Sequence, residues 1–295
     1  MPELPDIELY LHALRRHVGG KVLEKFRLVS PVLLRTYTPP ITVLEGKRVI
    51  GFHRIGKRIV FEFEDDLFAV LHLMISGRLQ WRKPGTAIPK KRAHGAMDFA
   101  GGSLLITEAS TKKRASLYLL EGRESLDEHD RGGVEPLEIT SDEFFVAVRT
   151  QNRTMKRVLT DQYIFSGIGN AYSDEILHRA KLSPVQRSGN LSDDEVAQLF
   201  AAVQEVLTEF RDRLISEHMD DWPTKVTAFR KDMAVHGKYG EPCPACGSPV
   251  QRIQYASNET NYCATCQTGG RLLADRSLSR LLKGDWPSTL EELES

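Results

Sequence analysis

"GEPCPACGSPVQRIQYASNETNYCATCQ", residues 240–267, contains all four cysteines of the 295-residue chain. They form two Cys-x-x-Cys pairs, Cys243/Cys246 and Cys263/Cys266, with sixteen residues between the pairs. Two such pairs supply four thiolates for tetrahedral coordination, and the segment between them is long enough for a β-hairpin. Two disulfides are the alternative, but the chain opens without a secretory pattern and has no other cysteine. The spacing therefore predicts one structural zinc ion, without an open coordination position for catalysis.

The segments before these cysteines change from a strand pattern to a helix pattern. Residues 6–18 have apolar residues at helical spacing, with Asp6 as the predicted N-cap. From about 21 to 125, short β-rich runs such as "RIVFEF" are separated by turn residues, which predicts a β-sandwich or barrel. From about 140 to 216 the apolar residues return to helical spacing, and Ser192–Glu195 forms a capping box.

These patterns predict a multidomain α+β protein: an N-terminal β-sandwich with a leading helix, a helical domain and a C-terminal zinc-finger β-hairpin. The polar segment 127–136, which contains glycine and proline, is the predicted linker after the first domain. The predicted boundaries are 1–130 for the N-terminal domain, 137–234 for the helical domain, 235–267 for the zinc finger and 268–295 for a C-terminal extension. Within that extension, "LLADRSLSRLLK" is predicted to form a short helix.

Charge and hydropathy narrow the class of protein. The chain has 40 Lys and Arg against 40 Asp and Glu, so its net charge gives no indication of a polyanionic partner. Basic clusters at 90–92, 112–114 and 153–157 are compatible with a basic face on a neutral protein, although an ordinary solvated surface is the commoner explanation of any single cluster. No apolar run has the length of a membrane span and no signal pattern opens the chain, so a cytoplasmic protein is expected.

A short glycine motif, Gly167-Ile168-Gly169-Asn170, comes directly before a predicted helix. Glycines allow a tight turn and a close approach of the backbone, and the first N–H groups of the following helix attract an anion. Asn170 adds a side-chain donor. The motif predicts a phosphate-binding clamp, with a simple interhelical turn as the alternative.

Three sequence motifs follow one another along the chain. They are "MPELPDIE" at the N-terminus, a central "DQxxxxGxGNxYxxExL" pattern and "HGKYGEPCPAC…YCATCQ" around the cysteines. The central pattern is met by Asp161, Gln162, Gly167, Gly169, Asn170, Tyr172, Glu175 and Leu177. In these motifs residues 1–267 resemble the formamidopyrimidine-DNA glycosylase/endonuclease VIII family of base-excision repair enzymes. The resemblance implies that the helical domain is a helix–two-turn–helix DNA-binding domain.

The resemblance also implies a bifunctional DNA glycosylase and AP lyase that acts on damaged double-stranded DNA. Once Met1 is removed, the secondary amine of Pro2 attacks C1′, expels the base and forms an iminium ion, and β-elimination follows, with or without δ-elimination. While Met1 is attached, the Pro2 nitrogen is an amide and cannot react in this way. In the family pattern Glu3 transfers protons beside the amine, and Lys57 contacts the lesion or its phosphate. Asp6 stands where the family usually has glutamate, and either supports catalysis or caps the helix.

Further DNA contacts are implied by the same resemblance. Ile75, in "HLMISGRL", stands in the place of a methionine that fills the gap left by the flipped nucleotide, with a core residue as the alternative. His72, which begins this segment, is a further candidate contact. The segment "EASTKKRAS" lacks the phenylalanine of the family's second loop, and Arg114 is the candidate partner of the orphaned base. Lys156 and Asn170 are the candidate DNA contacts of the helix–two-turn–helix domain.

The zinc finger departs from the family at one position. Asn258 stands five residues before the third cysteine, where the family has an arginine that binds the phosphates flanking the lesion. An amide donates to a phosphate but releases no counterion, so weaker and less salt-dependent binding is expected. Arg252 and Arg271 are the candidate substitutes. The basic residues of the extension 268–295 either lie along DNA or belong to an amphipathic helix that covers the domain.

Two functions are compatible with these departures. The first is an active glycosylase and lyase for oxidised or ring-opened bases, favoured by Pro2, Glu3, Lys57 and Asn170. The alternative is a protein that binds damaged or abasic sites with little or no excision, favoured by Asn258 and the altered loop. The segment before the finger lacks the pattern of an 8-oxoguanine-binding loop, so the choice between purine and pyrimidine lesions stays open. A monomer in the bacterial cytoplasm that acts on nucleoid DNA is expected.

Overall fold

The computed structural model describes residues 1–227, 229–255, 258–274 and 287–294. They fall into two compact units, of which the first consists of Met1–Arg131 and Phe210–Ala228, and the second of Gly132–Glu209 and Phe229–Ser295. The first unit is therefore discontinuous in sequence. The finer division into four segments that the sequence suggests stays a prediction.

The first unit contains a leading helix and two four-stranded antiparallel sheets. Helix α1 covers Leu4–His17, and short 3-10 helices cover Pro31–Leu33, Ile41–Leu44 and Arg123–His129. The strands are β1 (Leu23–Leu28), β2 (Val49–Ile55), β3 (Arg58–Phe63), β4 (Leu67–His72), β5 (Gly77–Arg82), β6 (Ala93–Phe99), β7 (Gly102–Glu108) and β8 (Ser116–Glu121). One sheet has the order β1-β6-β7-β5 and the other β2-β3-β4-β8. The predicted β-sandwich with a leading helix is confirmed.

Apolar side chains from both sheets form the core of this unit. Phe61 on β3 and Phe99 on β6 are fully enclosed, and the consecutive buried residues of each strand show that both strands are covered on both faces. The same core contains Leu214 and Val226, and Trp222 packs against it. The later segment of the chain therefore supplies part of the first unit's apolar interior.

The leading helix begins at Leu4, two residues before the predicted start. Glu3 is its N-cap, and Pro5 lies in the first turn, where an N–H has no intrahelical acceptor to bind. Asp6 is the third helical residue, and its Oδ2 accepts a hydrogen bond from the Glu3 N–H at 2.9 Å. The prediction of Asp6 as N-cap is therefore wrong, because Asp6 is instead the inner partner of a capping box that Glu3 opens.

The second unit contains helices and one antiparallel hairpin. Its elements are α2 (Ser141–Arg149), α3 (Met155–Thr160), α4 (Asn170–Arg179), a 3-10 helix (Ser188–Asn190), α5 (Asp193–Glu217), β9 (Val250–Tyr255), β10 (Asn258–Cys263), α6 (Ala264–Thr268) and α7 (Leu290–Glu294). The residues of α5 from Phe210 onward belong to the first unit. The predicted capping box at the start of α5 is confirmed, because Glu195 N donates to Ser192 Oγ at 3.1 Å and Ser192 N to Glu195 Oε2 at 2.8 Å.

The helical domain and the zinc-finger hairpin are thus confirmed as parts of the predicted α+β fold. Residues 275–283, most of the predicted C-terminal helix, lie outside the described residues. Before them, Leu272 and Leu273 are buried against Ile253 and Tyr262 of the hairpin. The start of the extension therefore packs on the finger, but residues 272–274 are not helical, and the choice between the two alternatives stays a prediction.

Candidate functional site

The N-terminal amine of the first unit lies among charged side chains. The groups whose charges act on it are those of Glu3, Arg78, Asp6 and Lys57. Glu3, Asp6 and Lys57 are buried, and so is Pro2. The four predicted catalytic residues are therefore placed together, while their individual roles stay predictions.

The surroundings of this amine favour its neutral form. Burial lowers its pKa, and the positive charges of Arg78 and Lys57 lower it further, against the opposing carboxylates of Glu3 and Asp6. In the described chain the amine belongs to Met1, and a Pro2 amine exposed by removal of Met1 would meet the same side chains. A lowered pKa leaves more of an amine unprotonated and nucleophilic near pH 7.

Two cationic residues of this site lie at the ends of hairpins. Lys57 occupies the turn between β2 and β3, beside Gly56, whose φ of 58° allows the tight reversal. Arg78 lies on β5 and donates to the Gly77 carbonyl at 2.6 Å. Arg78 is absent from the predicted site, since its only sequence signal is its place after the glycine of "HLMISGRL".

Asp6 is the most strongly perturbed acid of this site. It is fully buried, and burial raises its pKa to about 6, against the hydrogen bond from Glu3 N. Its Oδ1 has no hydrogen-bond partner within the described part of the chain. Asp6 can therefore hold or release a proton near neutral pH, which fits a supporting role beside an amine.

We expect Asp6 to make the free energy of unfolding depend on pH. Its pKa is about 6 in the folded chain against an ordinary value of 3.8. Because the folded chain binds the proton more tightly, the free energy of unfolding falls as the pH rises through this range and stays low above it. Asp6→Asn removes this fall, so its free energy of unfolding relative to wild type should rise by up to about 3 kcal/mol between pH 4 and 7. Urea titration at each pH measures it.

Asp98→Asn is the matched control, with the opposite sign. Burial would raise the pKa of Asp98, but hydrogen bonds from Arg27 and Ser103 outweigh burial and lower it. Asp98 therefore stabilises the fold above its ordinary pKa and loses this effect as the pH falls, so Asp98→Asn should become less stable relative to wild type as the pH rises. A constant difference between Asp6→Asn and wild type across the pH range would contradict the raised pKa of Asp6.

The other candidate contacts of the first unit lie where strands end. His72 is the last residue of β4, and burial, followed by the charges of Arg58 and Lys57, lowers its pKa to about 4. Its ring is therefore neutral near pH 7. Ile75 lies in the turn between β4 and β5 and is 59% exposed, so the alternative interpretation as a core residue is wrong. Arg114 is exposed in the loop between β7 and β8.

In the second unit, the glycine motif places Asn170 at the first residue of α4. Gln162 fixes the preceding turn, since its Oε1 accepts from Gly167 N at 3.1 Å and its Nε2 donates to the Ile168 carbonyl at 2.7 Å. Asn170 Nδ2 donates to the Glu259 carbonyl of β10 at 2.6 Å. The amide thus joins the motif to the zinc-finger hairpin, and Nδ2 carries a second hydrogen for a ligand.

Glu175 of the central motif holds the segment that leads into the finger. Its carboxylate accepts the backbone N–H groups of Ala234, Val235 and His236 at 2.7, 2.9 and 2.8 Å. A buried carboxylate with three such donors fixes the path of the backbone. Glu175 therefore has a structural role in the motif, because it holds the backbone of residues 234–236 in place.

A cavity of about 430 Å³ beside Asn170 carries positive charge. The charged and amide side chains that line it are Lys156, Arg157, Arg187, Asn170 and Asn258. No acidic side chain among the described residues lines it. Arg187 reaches this cavity because its segment pairs with Thr154, just before α3.

The cations of this cavity differ in their partners. Lys156 Nζ donates to the Asn170 carbonyl and pairs with Asp174. Within the described ranges, neither Arg157 nor Arg187 forms an ion pair with a carboxylate. Arg157, from the basic cluster 153–157, and Arg187, which no sequence pattern singles out, therefore carry the uncompensated charge.

The two predicted substitutes for an arginine at position 258 do not line this cavity. The Arg252 guanidinium lies 4.1 Å from the centre of the Tyr239 ring, and its NH1 is 3.4 Å from Glu259 Oε2. Arg271 is exposed and pairs through its backbone with Thr289. Arg252 is therefore engaged within the finger, and the cations beside Asn258 come from the helical part of the unit.

The four cysteines form a group suited to one metal ion. Their Sγ atoms all lie within 4.8 Å of one another, and tetrahedral coordination at ordinary zinc–sulfur distances needs separations of about 3.8 Å. The Cys246–Cys263 and Cys243–Cys266 sulfur pairs are 3.4 and 4.0 Å apart. With four thiolate ligands a zinc ion here would have no open position, so it would stabilise the hairpin.

Comparison with known families divides the chain into three matched regions. Residues 1–113 match the formamidopyrimidine-DNA glycosylase N-terminal domain, 133–212 the formamidopyrimidine-DNA glycosylase H2TH domain, and 240–269 the zinc finger found in FPG and IleRS. Among the described residues, no helix combines the length and apolar character needed to cross a membrane.

Individual relatives match over most of their length. A formamidopyrimidine-DNA glycosylase of Desulforamulus reducens is 31% identical over an alignment of 284 residues, and the match covers 90% of this chain and 99% of the relative. One of Thermus thermophilus is 31% identical over an alignment of 276 residues, and the match covers 92% of this chain and all of the relative. The crystal structure of a Lactococcus lactis FPG variant with DNA that contains Fapy-dG has a TM-score of 0.80 at 26% identity, over 90% of this chain and all of that one. A complex of the same enzyme with abasic-site DNA has a TM-score of 0.79 at 25% identity, over 90% of this chain and 99% of that one.

Proposed function

The chain belongs to the formamidopyrimidine-DNA glycosylase family, and from this premise we propose that it is a base-excision repair DNA glycosylase with AP lyase activity. It removes oxidised or ring-opened bases from duplex DNA through the amine of Pro2. The observation that carries the proposal is the N-terminal amine site, where burial and two cations lower the amine's pKa beside buried Glu3 and Asp6.

In the proposed reaction, the lone pair of the Pro2 nitrogen forms a bond to C1′ and the bond from C1′ to the base breaks. The amine loses its proton, and the base leaves with a proton from an acidic group of the site. Opening of the C1′–O4′ bond, with a proton delivered to O4′, gives the iminium ion. Loss of a C2′ proton then breaks the C3′–O bond, so the 3′ phosphate leaves, and water later frees the amine. Glu3 is the proposed proton carrier, and Lys57 the proposed contact to the lesion or its phosphate.

A second candidate is a family member that binds damaged or abasic DNA with little excision. Asn258 in place of arginine favours it, since an amide at the finger cannot neutralise a phosphate. The loop between β7 and β8, which lacks phenylalanine, favours it as well. A protein that only binds DNA does not need an enclosed amine with a lowered pKa. The enzyme is therefore the better supported function.

The experiment that tests the enzyme is excision from a panel of duplexes. Chain from which Met1 has been removed is mixed with DNA that carries 8-oxoguanine, formamidopyrimidine, an oxidised pyrimidine or an abasic site, and base release and strand cleavage are measured. We expect release and cleavage on at least one base lesion, which also identifies the preferred one. Tight binding without release or cleavage on any duplex would favour the binding protein instead.

DNA binding is proposed to use the cationic cavity of the second unit. Arg157 and Arg187 line it with Asn170 and Asn258, and no described carboxylate compensates the two arginines. A phosphate bound there would displace counterions from both guanidinium groups. Two cations on the helical part of the unit would in this way replace the charge that the finger lacks at Asn258. Action on the bacterial nucleoid in the cytoplasm, as a monomer, completes the proposal.

Neutralising these arginines is expected to weaken DNA binding and its salt dependence. For Arg157→Gln with Arg187→Gln, the slope of log affinity against log salt should fall in magnitude by about 2, and affinity at moderate salt by roughly a hundredfold. Fluorescence anisotropy with a duplex that carries an uncleavable abasic analogue, at several salt concentrations, measures both.

Arg179→Gln is the matched control for charge. Arg179 belongs to the same unit, but it pairs with Glu205 and Glu209 and does not line the cavity. Its salt slope should stay close to that of wild type. Equal slopes for the double variant and wild type would show that the cavity holds no phosphate.

A further inference from the structure

One buried carboxylate in the first unit lies between two loops. One loop carries Ile75, the candidate gap-filling residue, and the other carries Arg114, the candidate partner of the orphaned base. Glu108 is the last residue of β7, is 1% exposed, and is paired with Gly77, the first residue of β5. The turn 73–76 ends at Gly77 and the loop 109–115 begins after Glu108. Both loops therefore leave the sheet side by side from one pair of residues.

The side chain of Glu108 binds both loops and a buried histidine. Its Oε1 accepts from Ser76 Oγ at 3.2 Å and from Arg114 N at 3.1 Å. Its Oε2 accepts from Ala115 N at 3.2 Å and contacts His94 Nε2, on β6, at 2.8 Å. One carboxylate thus fixes the end of the turn and the end of the loop at the same time.

These contacts require the ionised carboxylate. Burial alone would raise the pKa of Glu108, but the hydrogen bonds from His94, Ala115 and Arg114 outweigh it and hold the pKa below its ordinary value. Both oxygens accept hydrogen bonds, and among side chains only an ionised carboxylate offers two acceptor oxygens. An amide at this position would keep the shape and turn one of the two acceptors into a donor that faces other donors.

The ends of the turn and the loop are held, while the side chains of Ile75 and Arg114 face solvent. Ile75 is 59% exposed, and Met74 before it has a φ of 55°, which turns the backbone sharply at the tip. Arg114 is exposed directly beside its bound N–H. An apolar side chain at the tip of the turn and a cationic side chain at the held end of the loop are therefore presented from one edge of the sheet.

We propose that Glu108 is the positioning residue that makes the turn 73–76 and the loop 109–115 a single two-pronged element. This element enters the duplex, with Ile75 in the space of the extruded nucleotide and Arg114 toward the unpaired base. Because Glu108 holds both prongs before DNA binds, less ordering is required during extrusion. The inference rests on the proposed function, since it assigns the groups that fill the gap in the DNA.

Glu108→Gln tests this role, with Glu62→Gln as the matched control. Glu62 also contacts a histidine, at 2.6 Å between its Oε1 and His53 Nδ1, and its pKa is also lowered, but it lies on β3. The substrate is a duplex that carries a lesion opposite 2-aminopurine, whose fluorescence reports unstacking of the base facing the lesion. A single-stranded abasic oligonucleotide, which needs no gap to be filled, measures elimination alone.

We expect Glu108→Gln to reduce base excision from the duplex by on the order of 10- to 100-fold and to abolish most of the 2-aminopurine signal. Elimination on the single strand should stay within about twofold of wild type, because the amine site is unchanged. Glu62→Gln should resemble wild type in all three measurements. Ser76→Ala, which removes only one of the contacts of Glu108, should shift the duplex measurements in the same direction by a smaller factor.

Two results would overturn the inference. One is a Glu108→Gln variant that matches Glu62→Gln on the duplex. The other is an equal loss on duplex and single strand, which would indicate general damage to the fold. The 2-aminopurine signal on a duplex with an uncleavable abasic analogue does not depend on chemistry, so it tests the role of Glu108 even if wild type excises no base and the proposed function fails.

Discussion

Chain that begins at Pro2 is expected to be trapped on abasic-site DNA by borohydride far faster than chain that keeps Met1. Removal of Met1 turns the Pro2 nitrogen from an amide into a secondary amine, and only an amine forms an iminium that borohydride reduces to a stable bond. The difference in trapping rate should be at least about 10³-fold, as for removal of a nucleophile. Gel electrophoresis of the covalent complex, after preparation of both forms of the chain, measures it.

The form that keeps Met1 is a close control for this experiment. Met1 is itself exposed and precedes the buried Pro2 and Glu3, so we expect its retention to leave the fold of the first unit unchanged. The α-amine of Met1 is the only new reactive group in this form. It lies one residue before the Pro2 nitrogen along the chain. Equal trapping of both forms would assign the covalent bond to an amine other than that of Pro2, either the α-amine of Met1 or the side chain of Lys57.

Loss of the metal ligands is expected to have the second large effect. Cys263 is fully buried, and the hairpin that ends at this residue supplies the Glu259 carbonyl to Asn170. Structural zinc contributes its binding free energy directly to folding, so Cys263→Ser should lose the hairpin with the ion. We expect zinc content to fall from one equivalent to none, and duplex affinity to fall by roughly a hundredfold through loss of phosphate contacts at Asn170 and Asn258. Atomic absorption and anisotropy measure the two quantities.

Zinc exchange in the wild-type chain provides the control for this substitution. Chelation should reproduce the loss of affinity, and added zinc should restore it, because all four cysteines of the chain are ligands and no other thiol competes. Full duplex affinity in a chain shown to be free of metal would contradict a structural role for the ion in DNA binding.

The features that the sequence predicts correctly are local. The spacing of Cys243, Cys246, Cys263 and Cys266 limits the geometry of the finger, and the capping box at Ser192 follows from a pattern of four neighbouring residues. In both cases the interacting groups are close in sequence or share one ligand. The short β-rich runs separated by turn residues likewise predict the sandwich, since each run and the turn that ends it are close in sequence.

The features that the sequence does not predict depend on contacts between distant segments. Arg78 acts on the N-terminal amine, and Arg187 meets Arg157 in one cavity only because its segment pairs with residues before α3. No spacing along the chain encodes these approaches. Asp6 shows a different difficulty, because a carboxylate near a helix start fits the N-cap and the third position equally well. The preceding Glu3 and Pro5 decide between the two.

The discontinuity of the first unit limits where its coding region can be truncated or recombined without loss of the core. Leu214 and Val226 belong to the core of a unit whose strands end before Arg131. A coding region that stops after the sandwich strands would therefore yield a fragment with an incomplete interior. Recombination between relatives can exchange the sandwich only if it also exchanges residues 210–228, and the helical segment between them is in effect an insertion within another module. The shortest continuous segment that contains the amine site with its complete core therefore runs from Met1 to Ala228.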